Sequence, residues 1–587
     1  MSTTLPSSVP GVLGNTSLAQ FDFIIVGSGA GGSMAARTLT VAGGKKVLIL
    51  ETGNNYFIGL DDPAPNMPIP LFSNDEIKFS VRGLIDQDSF LDPRTYRTNP
   101  NVAAVVNGDV NTLPRTVGGA AVHADMKYPR FNIVDFRLAS ALHSIGRTYD
   151  GTNFADWPVT YDELEPFYTE AEHLTGVQGQ AGTNPFESAR SSDYLMPPGV
   201  PMYVANVLAA GARAKGYHPF PYPSAVTSRP YRGRPACIDC GYCSGYGCPN
   251  NSKSSPAVTT LREALLSGNC QLRFNCRVTR FLHDNGSHVT GVEYVDADGH
   301  TQEASADQFI IAATAAESAR LCLLSDLGGP GLGNSSGMVG RNLMYHYQTI
   351  AVGIYAQHLH GERGRSVTHG IADFRGVLPG GEAIDPDLRL GGIIEFGTDS
   401  EAITAAKNNL QALSFARLQG VDLSLKQLLV NSPFLARIAV MEMQAEDAPQ
   451  LTNQIDLDPK VHDVFGLPAG RVTYAPSGYE KDARTFYSPK LVDIHKAAGA
   501  HYGFIAPADS PSQSRHVMGT LRMGTDPSSS VCDGFGKFHD VDNLYSMDGG
   551  VFVTSSGYNP TLTIITLALR AAANIVSPGS PERVLGR

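Results

Sequence analysis

The sequence carries little charge, and the charge that it has is mostly negative. Of its 587 residues 17% are charged, and the formal net charge is −11. Nucleic-acid binding needs a basic surface that neutralises phosphates, so this balance argues against a nucleic-acid partner. The sequence also lacks any long apolar run, so we expect no transmembrane helix. With 42% apolar residues the chain should be globular, and its length suits two or three lobes.

The beginning of the sequence does not resemble an export signal. Residues 1–20 contain neither a basic segment nor a continuous apolar stretch, and we expect them to form a flexible lead-in. The predicted location is therefore the cytoplasm. Export together with a partner subunit is an alternative that the sequence leaves open.

Cysteine is scarce, yet half of the eight cysteines lie within twelve residues. The stretch CIDCGYCSGYGC, residues 237–248, is called the cysteine loop below and contains Cys237, Cys240, Cys243 and Cys248. Four interpretations stay open: an iron–sulfur cluster, a tetrahedral zinc ion, one or two disulfides, or a structural loop with free thiols. A cytosolic location disfavours disulfides. The interleaved glycines would let the loop wrap tightly around a ligand.

The N-terminal region contains a complete dinucleotide-binding pattern. Apolar runs predict strands at Phe23–Val26 and Lys46–Leu50, and Ser33–Thr40 between them predicts a helix. The spacing G-x-G-x-x-G is formed by Gly27, Gly29 and Gly32, and Glu51 ends the second strand. These glycines permit a tight turn, close approach to a pyrophosphate and helix–strand packing, while Glu51 would accept ribose hydroxyls. This pattern alone leaves NAD and FAD open.

The C-terminal region contains candidate residues for the chemistry. His516 lies in SRHVMGT, and a strand is predicted at Asn543–Met547. A long apolar helix is predicted at Leu562–Ile575, with Asn559 as its cap and Pro560 in its first turn. The N-terminus of such a helix can face an anion or a developing negative charge.

These motifs resemble those of the glucose–methanol–choline (GMC) oxidoreductases, a family of FAD enzymes that oxidise alcohols. The likeness extends over nearly the whole chain and includes RTVGGAAVH at 115–123, DWPVTYDELEPFY at 156–168 and GMVGRNLMYH at 337–346. The resemblance implies an α/β fold, with a Rossmann-like FAD-binding domain and a substrate domain whose antiparallel sheet is flanked by helices. The cysteine loop is similar to that of gluconate-type sugar dehydrogenases, and pyranose and glycoside oxidases are the other close group.

The resemblance also implies how the domains divide the chain. The FAD-binding domain would comprise residues 21–130, 225–350 and 506–587, and residues 131–224 and 351–505 would form the substrate domain and lid segments. Within residues 351–505, apolar alternation predicts strands near Gly391–Glu395, Leu435–Gln444 and Arg471–Pro476. A helix is predicted over Ser400–Asn431.

The site residues follow from the family's pattern. His516 matches the catalytic histidine and Asn559 its partner. The predicted cofactor-binding residues are Gly27, Gly29, Gly32, Glu51, Gly118, Gly119, His123, Val278, Asp548, Gly549, Pro560 and Thr561. In some relatives a histidine of the loop around His123 is bonded covalently to the flavin and is followed by tryptophan. Here Ala124 follows, which favours non-covalent binding.

The implied reaction is oxidation of a CH–OH group in a sugar, glycoside or other polyol. His516 would take the hydroxyl proton while flavin N5 takes the hydride. The electron acceptor would be oxygen, a quinone or a cytochrome, and a partner subunit is one expectation. Some cysteine-loop relatives hold an iron–sulfur centre, which makes the four loop cysteines tentative metal ligands. The alternatives are a lyase on the same fold and a flavin/iron–sulfur electron-transfer subunit of a larger dehydrogenase.

Overall fold

The computed structural model describes residues 11–71, 92–107, 110, 113–241, 243–361, 364–375, 385, 387–397, 436–508 and 514–586. The strands in this part of the chain are β1 Val12–Gly14, β2 Phe23–Val26, β3 Val47–Leu50, β4 Phe57–Ile58, β5 Ile69–Pro70, β6 Arg94–Arg97, β7 Val105–Val106, β8 Phe220–Pro221, β9 Cys270–Arg273, β10 Arg277–Asp284, β11 His288–Val295, β12 Thr301–Ala304, β13 Gln308–Ile311, β14 Thr349–Tyr355, β15 His369–Ile371, β16 Ile394–Phe396, β17 Ile438–Met443, β18 Gln454–His462, β19 Pro468–Thr473, β20 Ala500–Ile505 and β21 Leu544–Ser546. The α-helices are α1 Ala30–Arg37, α2 Leu138–Ser144, α3 Tyr161–Thr175, α4 Tyr203–Ala214, α5 Thr260–Leu266, α6 Ala315–Leu324, α7 Gly478–Ala497 and α8 Thr561–Val576.

A six-stranded sheet joins the two ends of the chain. Its order is β1-β9-β3-β2-β13-β21, and all neighbours are parallel except β1 and β9. The central strands are buried on both faces. Ile25 and Ile49 face one apolar core, which includes α1 and α8. Ile24 and Leu48 face a second core, which includes α6. Burial on both faces explains why these strands are continuously apolar in sequence.

The second six-stranded sheet is antiparallel and has helices on one face. Its order is β20-β14-β17-β16-β15-β8. Alternate residues such as Ala351 and Met441 pack against Leu208 of α4 and Leu491 of α7. The intervening residues lie on the opposite face, away from these helices. The predicted α/β architecture, with a Rossmann-like sheet and a helix-flanked antiparallel sheet, is confirmed.

Three smaller sheets are also present in the described structure, of which one is the antiparallel pair β4-β5. Strands β10-β11-β12 form an antiparallel sheet, and β18-β19-β6-β7 form a four-stranded sheet. The latter joins a segment of the predicted FAD-binding domain to one of the predicted substrate domain, through parallel pairing of β6 with β19. The division into domains stays a prediction.

Several predicted boundaries differ from the structure. Residues 1–20 were predicted as a flexible lead-in, but Val12–Gly14 pairs with β9 as an edge strand. The predicted helix Ser33–Thr40 begins earlier, at Ala30, and continues as a π-helical turn over Thr38–Ala42. The predicted helix Ser400–Asn431 lies outside the described residues. Within the described ranges, no helix combines the length and apolar character needed to cross a membrane.

Candidate active site

A cavity of about 530 Å³ opens between the two large sheets. Twelve of the predicted site residues line it: Gly27, Gly29, Glu51, Gly119, His123, Val278, His516, Asp548, Gly549, Asn559, Pro560 and Thr561. Gly32 and Gly118 are not among the lining residues. The residues come from widely separated segments, and the parallel sheet brings them together because β2, β3 and β13 all end at this edge.

Close backbone packing explains the glycines of the first turn. Gly27 has φ +99°, which favours glycine, and a Cβ there would lie 2.5 Å from the Ala312 oxygen. A Cβ on Gly32 would lie 2.1 Å from the Gly27 oxygen, so α1 packs directly on the preceding turn. Gly119, with φ +68°, would place a Cβ 2.5 Å from Gly29 Cα. The two glycine loops therefore meet along one wall of the cavity.

Gly31 is a fourth glycine of this turn, and the motif did not single it out. A Cβ on Gly31 would lie only 1.7 Å from the backbone oxygen of Met547. Met547 directly precedes Asp548 at the end of β21. The start of α1 is thus in backbone contact with the C-terminal half of the site, a contact between residues more than five hundred positions apart.

Glu51 is buried at the end of β3 and is held by the glycine turn. Its Oε2 accepts hydrogen bonds from Ser28 N at 2.9 Å and Ser28 Oγ at 2.6 Å, and its Oε1 accepts from Gly53 N at 2.8 Å. Burial raises the pKa of Glu51 although these hydrogen bonds oppose the shift. Ser28 Oγ also accepts a hydrogen bond from Gly118 N at 2.9 Å. This bond joins the first glycine turn to the loop that contains Gly118 and Gly119. Glu51 Oε1 accepts only one hydrogen bond and so keeps capacity for a ribose hydroxyl.

His516 forms a pair with His346, the last residue of the stretch GMVGRNLMYH. Met344 and Met518 pair as an antiparallel bridge, with N–O distances of 2.9 and 3.0 Å. His346 lies two residues after Met344 and His516 lies two residues before Met518, and the Nδ1 atoms of the two histidines are 2.8 Å apart. Burial lowers the pKa of His516 well below its usual range, and the neighbouring His346 and Lys127 lower it further. His516 is therefore a neutral imidazole at neutral pH.

Asn559 borders the same cavity, but it does not cap α8. The cap position is Pro560, and no side chain caps the helix. The Asn559 side chain is used elsewhere, because its Oδ1 accepts a hydrogen bond from the buried Tyr222 hydroxyl. The predicted cap is therefore wrong. With Oδ1 occupied, Asn559 has its Nδ2 donors available for the cavity.

Charged side chains form the wall of the cavity beyond the histidine pair. Lys127 Nζ lies 2.7 Å from Glu395 Oε1, 3.2 Å from Asp125 Oδ2 and 4.0 Å from Glu442 Oε2. Gln444 Nε2 donates to Glu395 Oε1 at 2.5 Å. Burial raises the pKa of Glu442 to about 7, with Lys127 opposing and Glu395 and Asp125 adding to the shift. Only the folded sheet brings these residues together, so the sequence pattern gave no signal for them.

A second charged cluster lies at the opposite end of the cavity. Arg115, Arg277, Glu317 and Arg320 line it there, near Glu51 and Val278. Asp92 forms ion pairs with Arg115 and, at 3.1 Å, with Arg277. Burial lowers the pKa of Arg115 to about 10. No local sequence pattern marks this cluster, because its members come from separate segments.

The cysteine loop packs against the loop that carries His123. Lys253 is buried, and its Nζ donates to three backbone oxygens: Ala124 at 2.9 Å, Cys243 at 2.9 Å and Tyr246 at 2.6 Å. Gly245 N donates to the His123 oxygen at 3.0 Å. Ser244 and Gly245 themselves line the cavity. Half of the chain's cysteines are thus concentrated in a segment that forms part of the cavity wall.

The four loop sulfurs are not gathered into a compact cluster in the described structure, and their role as metal ligands stays a prediction. Within the described residues, only Asp296, Asp298 and His300 place three ligand atoms within 4.8 Å of one another. A tetrahedral zinc ion would need sulfurs roughly 3.8 Å apart. Burial raises the pKa of Cys237 to about 11 and of Cys243 to about 12, so both are protonated thiols at neutral pH. An iron–sulfur cluster spaces its ligands more widely than one ion does, and that assignment stays a prediction.

A dinucleotide-type turn and His516 border one cavity, an arrangement that suits a nucleotide-cofactor oxidoreductase. Two family profiles described as GMC oxidoreductase match this chain, at residues 200–348 and 449–568. The chain belongs to the GMC oxidoreductase family, whose members bind FAD. It is an FAD-dependent oxidoreductase that acts on CH–OH groups.

Curated relatives are similar over almost the full length. The chain is 29% identical to 2-methyl-1,2-propanediol dehydrogenase of Mycolicibacterium austroafricanum, with 95% of each chain covered. It is 28% identical to the gluconate 2-dehydrogenase flavoprotein of Pantoea cypripedii, covering 96% of this chain and 95% of the relative. It is 27% identical to paromamine 6'-oxidase of Streptomyces fradiae, covering 94% and 90%.

Solved structures share the fold at lower identity. Pyridoxine 4-oxidase from Mesorbium loti aligns with a TM-score of 0.57 and 16% identity, over 94% of this chain and 98% of that one. Formate oxidase of Aspergillus oryzae RIB40 aligns with a TM-score of 0.58 and 14% identity, over 96% and 99%. Both likenesses concern the fold.

The residues of the cavity fit FAD. The glycine turn leaves the N-terminus of α1 open, where a pyrophosphate binds favourably. Glu51 lies at the end of the adjacent strand, as recognition of a ribose requires. Gly119 and Gly549 line the cavity from the two halves of the chain, and neither has a side chain that would fill the space of the cofactor. The roles of the individual residues stay predictions.

Proposed function

We propose that this protein oxidises an alcohol group of a polyhydroxylated small molecule, with His516 as the proton acceptor. The observation that carries the proposal is the 2.8 Å contact between His516 and His346, which holds a neutral imidazole at the cavity that the dinucleotide turn also lines. FAD supplies the hydride acceptor when it is bound.

Residues from both halves of the chain would hold the FAD. The turn at Gly27 and Gly29 would receive the pyrophosphate and Glu51 the ribose. Val278 would line the adenosine end, and Asp548, Gly549 and Thr561 would border the cofactor from the C-terminal half. We propose that the flavin is bound without a covalent link, since Ala124 follows His123 where covalently linked relatives usually have tryptophan.

His346 fixes the proton of His516 on Nδ1. The Nε2 atom of His346 lies 3.3 Å from the Ser555 oxygen, and a carbonyl accepts only, so His346 carries its proton on Nε2. Burial lowers the pKa of His346 to about 4, so its Nδ1 is an unprotonated acceptor. His516 therefore donates its Nδ1–H to His346, and its Nε2 lone pair is left to take the substrate proton. Gln444 Oε1 also lies near His346 Nδ1. This oxygen accepts a hydrogen bond from Gln348 Nε2, so it does not need a proton on His346 Nδ1.

Asn559 would stabilise the substrate oxygen as it loses its proton. Its Oδ1 is occupied by the Tyr222 hydroxyl, so the amide presents Nδ2–H donors to the cavity. A neutral donor stabilises a developing alkoxide without making His516 harder to protonate. This division of roles makes His516 the base and Asn559 the hydrogen-bond donor.

The polar wall supports a polyhydroxylated substrate. Gln348, Glu442 and Gln444 line the cavity near the histidine pair, and each can bind hydroxyl groups. Relatives of this chain are named for a diol, for gluconate and for paromamine, which agrees with such a substrate. The electron acceptor is proposed to be oxygen, a quinone or a cytochrome.

Addition of a polyol under anaerobic conditions should bleach the yellow flavin of the purified holoenzyme. Oxidation removes a hydride from the substrate, and without an acceptor the reduced flavin accumulates. The measurement is the visible spectrum during titration with a panel of diols, sugars and sugar acids. Release of a carbonyl product while the flavin stays oxidised would instead indicate the lyase.

Iron analysis of the same preparation tests whether the cysteine loop binds a metal. Iron above the level of a preparation in which Cys243 is replaced by serine would support the iron–sulfur assignment and a protein electron acceptor. Iron at the same level in both preparations would leave the loop with the structural role that Lys253 already indicates.

Replacing His346 with phenylalanine is expected to lower kcat about ten- to hundredfold with little change in KM. The variant loses the acceptor that orients His516, and it also loses the electrostatic effect that lowers the His516 pKa. The acid limb of the pH profile should therefore move to higher pH. Steady-state kinetics with a polyol that bleaches the flavin measure both effects.

An asparagine at position 346 is the matched control, because its Oδ1 can accept the same Nδ1–H. His346→Asn should recover part of kcat at equal FAD content. A phenylalanine variant with the parental kcat and pH profile would contradict the positioning role, as would an asparagine variant that is no better than phenylalanine.

A further inference from the structure

The wall opposite the glycine turn contains more negative than positive charge. We call Asp125, Glu395 and Glu442, together with Lys127, the acidic subsite. Asp125, Lys127 and Glu442 line the cavity that His516 and Asn559 also border. The subsite lies close to the proposed base, since Lys127 influences the pKa of His516 and Gln444 contacts both Glu395 and His346.

The two glutamates lie directly opposite each other in the antiparallel sheet. Glu395 of β16 pairs with Glu442 of β17, and both lie on the face away from α4 and α7. Like charges at directly opposed positions destabilise a sheet. A chain that places two carboxylates there needs a compensating positive charge.

Lys127 compensates only part of this charge. Its Nζ is within hydrogen-bond distance of Glu395 and Asp125 but 4.0 Å from Glu442. Asp125 lines the described cavity, and its Oδ1 is buried without a hydrogen-bond partner. Carboxylate oxygens only accept, so a ligand that satisfies this oxygen must bring a donor.

Few other cations face this wall. His516 is neutral. Besides Lys127, Arg515 is the cationic side chain that lines this end of the described cavity. Arg515 is exposed and has an interaction of its own. Three carboxylates and one ammonium therefore leave an excess of negative charge when all are ionised. A neutral polyol would supply donors but would leave this excess uncompensated.

We propose that the acidic subsite binds a substrate ammonium group beside Glu442, so that the preferred substrates are amino-substituted polyols. This inference rests on the proposed function, because it assigns the substrate class of the same cavity. The ammonium would donate to Glu442 and to the open oxygen of Asp125. The remaining hydroxyls would contact Gln348 and Gln444, and one CH–OH group would lie at His516.

The pH dependence follows from Glu442. Burial and the neighbouring carboxylates hold its pKa at about 7 against the effect of Lys127. An ammonium binds the ionised form, so affinity for an amino-polyol should rise as pH increases through 7. It should fall again where the substrate amine loses its own proton. A neutral polyol should not follow the first of these changes.

The experiment compares matched pairs of compounds on the FAD-loaded full chain. The pairs are 2-amino-1,3-propanediol with glycerol, and 1-amino-1-deoxyglucitol with glucitol. Binding is read from the flavin difference spectrum, and oxidation from anaerobic bleaching. We expect the amino member of each pair to bind about tenfold or more tightly at pH 7.5.

Variants test whether the subsite causes the preference. Glu442→Gln should bring the amino-to-neutral affinity ratio close to one, and Asp125→Asn should lower it. The exposed Glu303→Gln, on β12, is the matched control and should keep the parental ratio. FAD content verifies that each variant is folded.

Three results would overturn the inference: equal or weaker binding of the amino compounds, a ratio that survives Glu442→Gln, or no spectral response to any of the four compounds. Bleaching by neutral polyols with no amino preference would keep the proposed function and reject the subsite. Preferential binding of amino-polyols without bleaching would keep the subsite and count against the proposed oxidation.

Discussion

Anaerobic flavin reduction by a bound polyol is expected to slow about a hundredfold or more when His516 is replaced with alanine. Loss of the imidazole removes the group that takes the hydroxyl proton, and hydride leaves an alcohol much less readily than it leaves an alkoxide. Asn559 can still bind the substrate oxygen, so binding should weaken less than the rate. Stopped-flow absorbance of the FAD-loaded variant measures both quantities.

The pH profile gives this prediction a second measurement. The base must be unprotonated, and burial holds the pKa of His516 well below its ordinary value. The parental rate of reduction should therefore stay level as pH falls through the range where an exposed histidine would become charged. His300→Ala, at an exposed histidine of the β11–β12 turn, is the control and should have the parental rate. A rate in His516→Ala equal to that of this control would remove His516 from the mechanism.

Replacing Gly31 with alanine is expected to abolish stable FAD binding. The new Cβ would lie 1.7 Å from the Met547 oxygen, a distance that no side chain movement can relieve because the neighbour is backbone. Either α1 or the end of β21 must shift, and both border the cavity beside Gly29 and Asp548. Overpacking of this kind costs about 1–3 kcal/mol or more.

The measurements are flavin content after gel filtration and the thermal unfolding midpoint. Gly478→Ala is a suitable control, because Gly478 is the first residue of α7 and its Cβ would have no neighbour closer than 4.0 Å. That variant should keep the parental flavin content. A Gly31→Ala protein that is fully yellow and equally stable would mean that the contact between the chain ends is looser than the structure describes.

Local patterns predicted the elements whose folding depends mainly on their own residues. The strand at Phe23–Val26 and the glycine turn after it are where the motif put them, since continuous burial and tight turns leave a direct trace in composition. The strands near Gly391–Glu395 and Leu435–Gln444 are present as β16 and β17. Their alternation reflects a sheet with one helix-covered face.

Features that depend on distant pairing were missed. Strand β1 is only three residues long, and its place is set by β9, more than two hundred and fifty residues later. His346 gains its role through the bridge between Met344 and Met518, which no local pattern reports. The π-helical extension of α1 and the use of Asn559 by Tyr222 likewise reflect tertiary contacts that outweigh local preference.

The strand order of the first sheet has a consequence for how this protein is made. Strand β13 has β2, from the start of the chain, on one side and the edge strand β21, from near the end, on the other. A ribosome must therefore release almost the entire polypeptide before that sheet is complete. Contacts of such wide sequence separation form slowly, and earlier segments stay exposed meanwhile. Flavin supply and chaperone capacity during synthesis should then govern how much active protein a cell obtains.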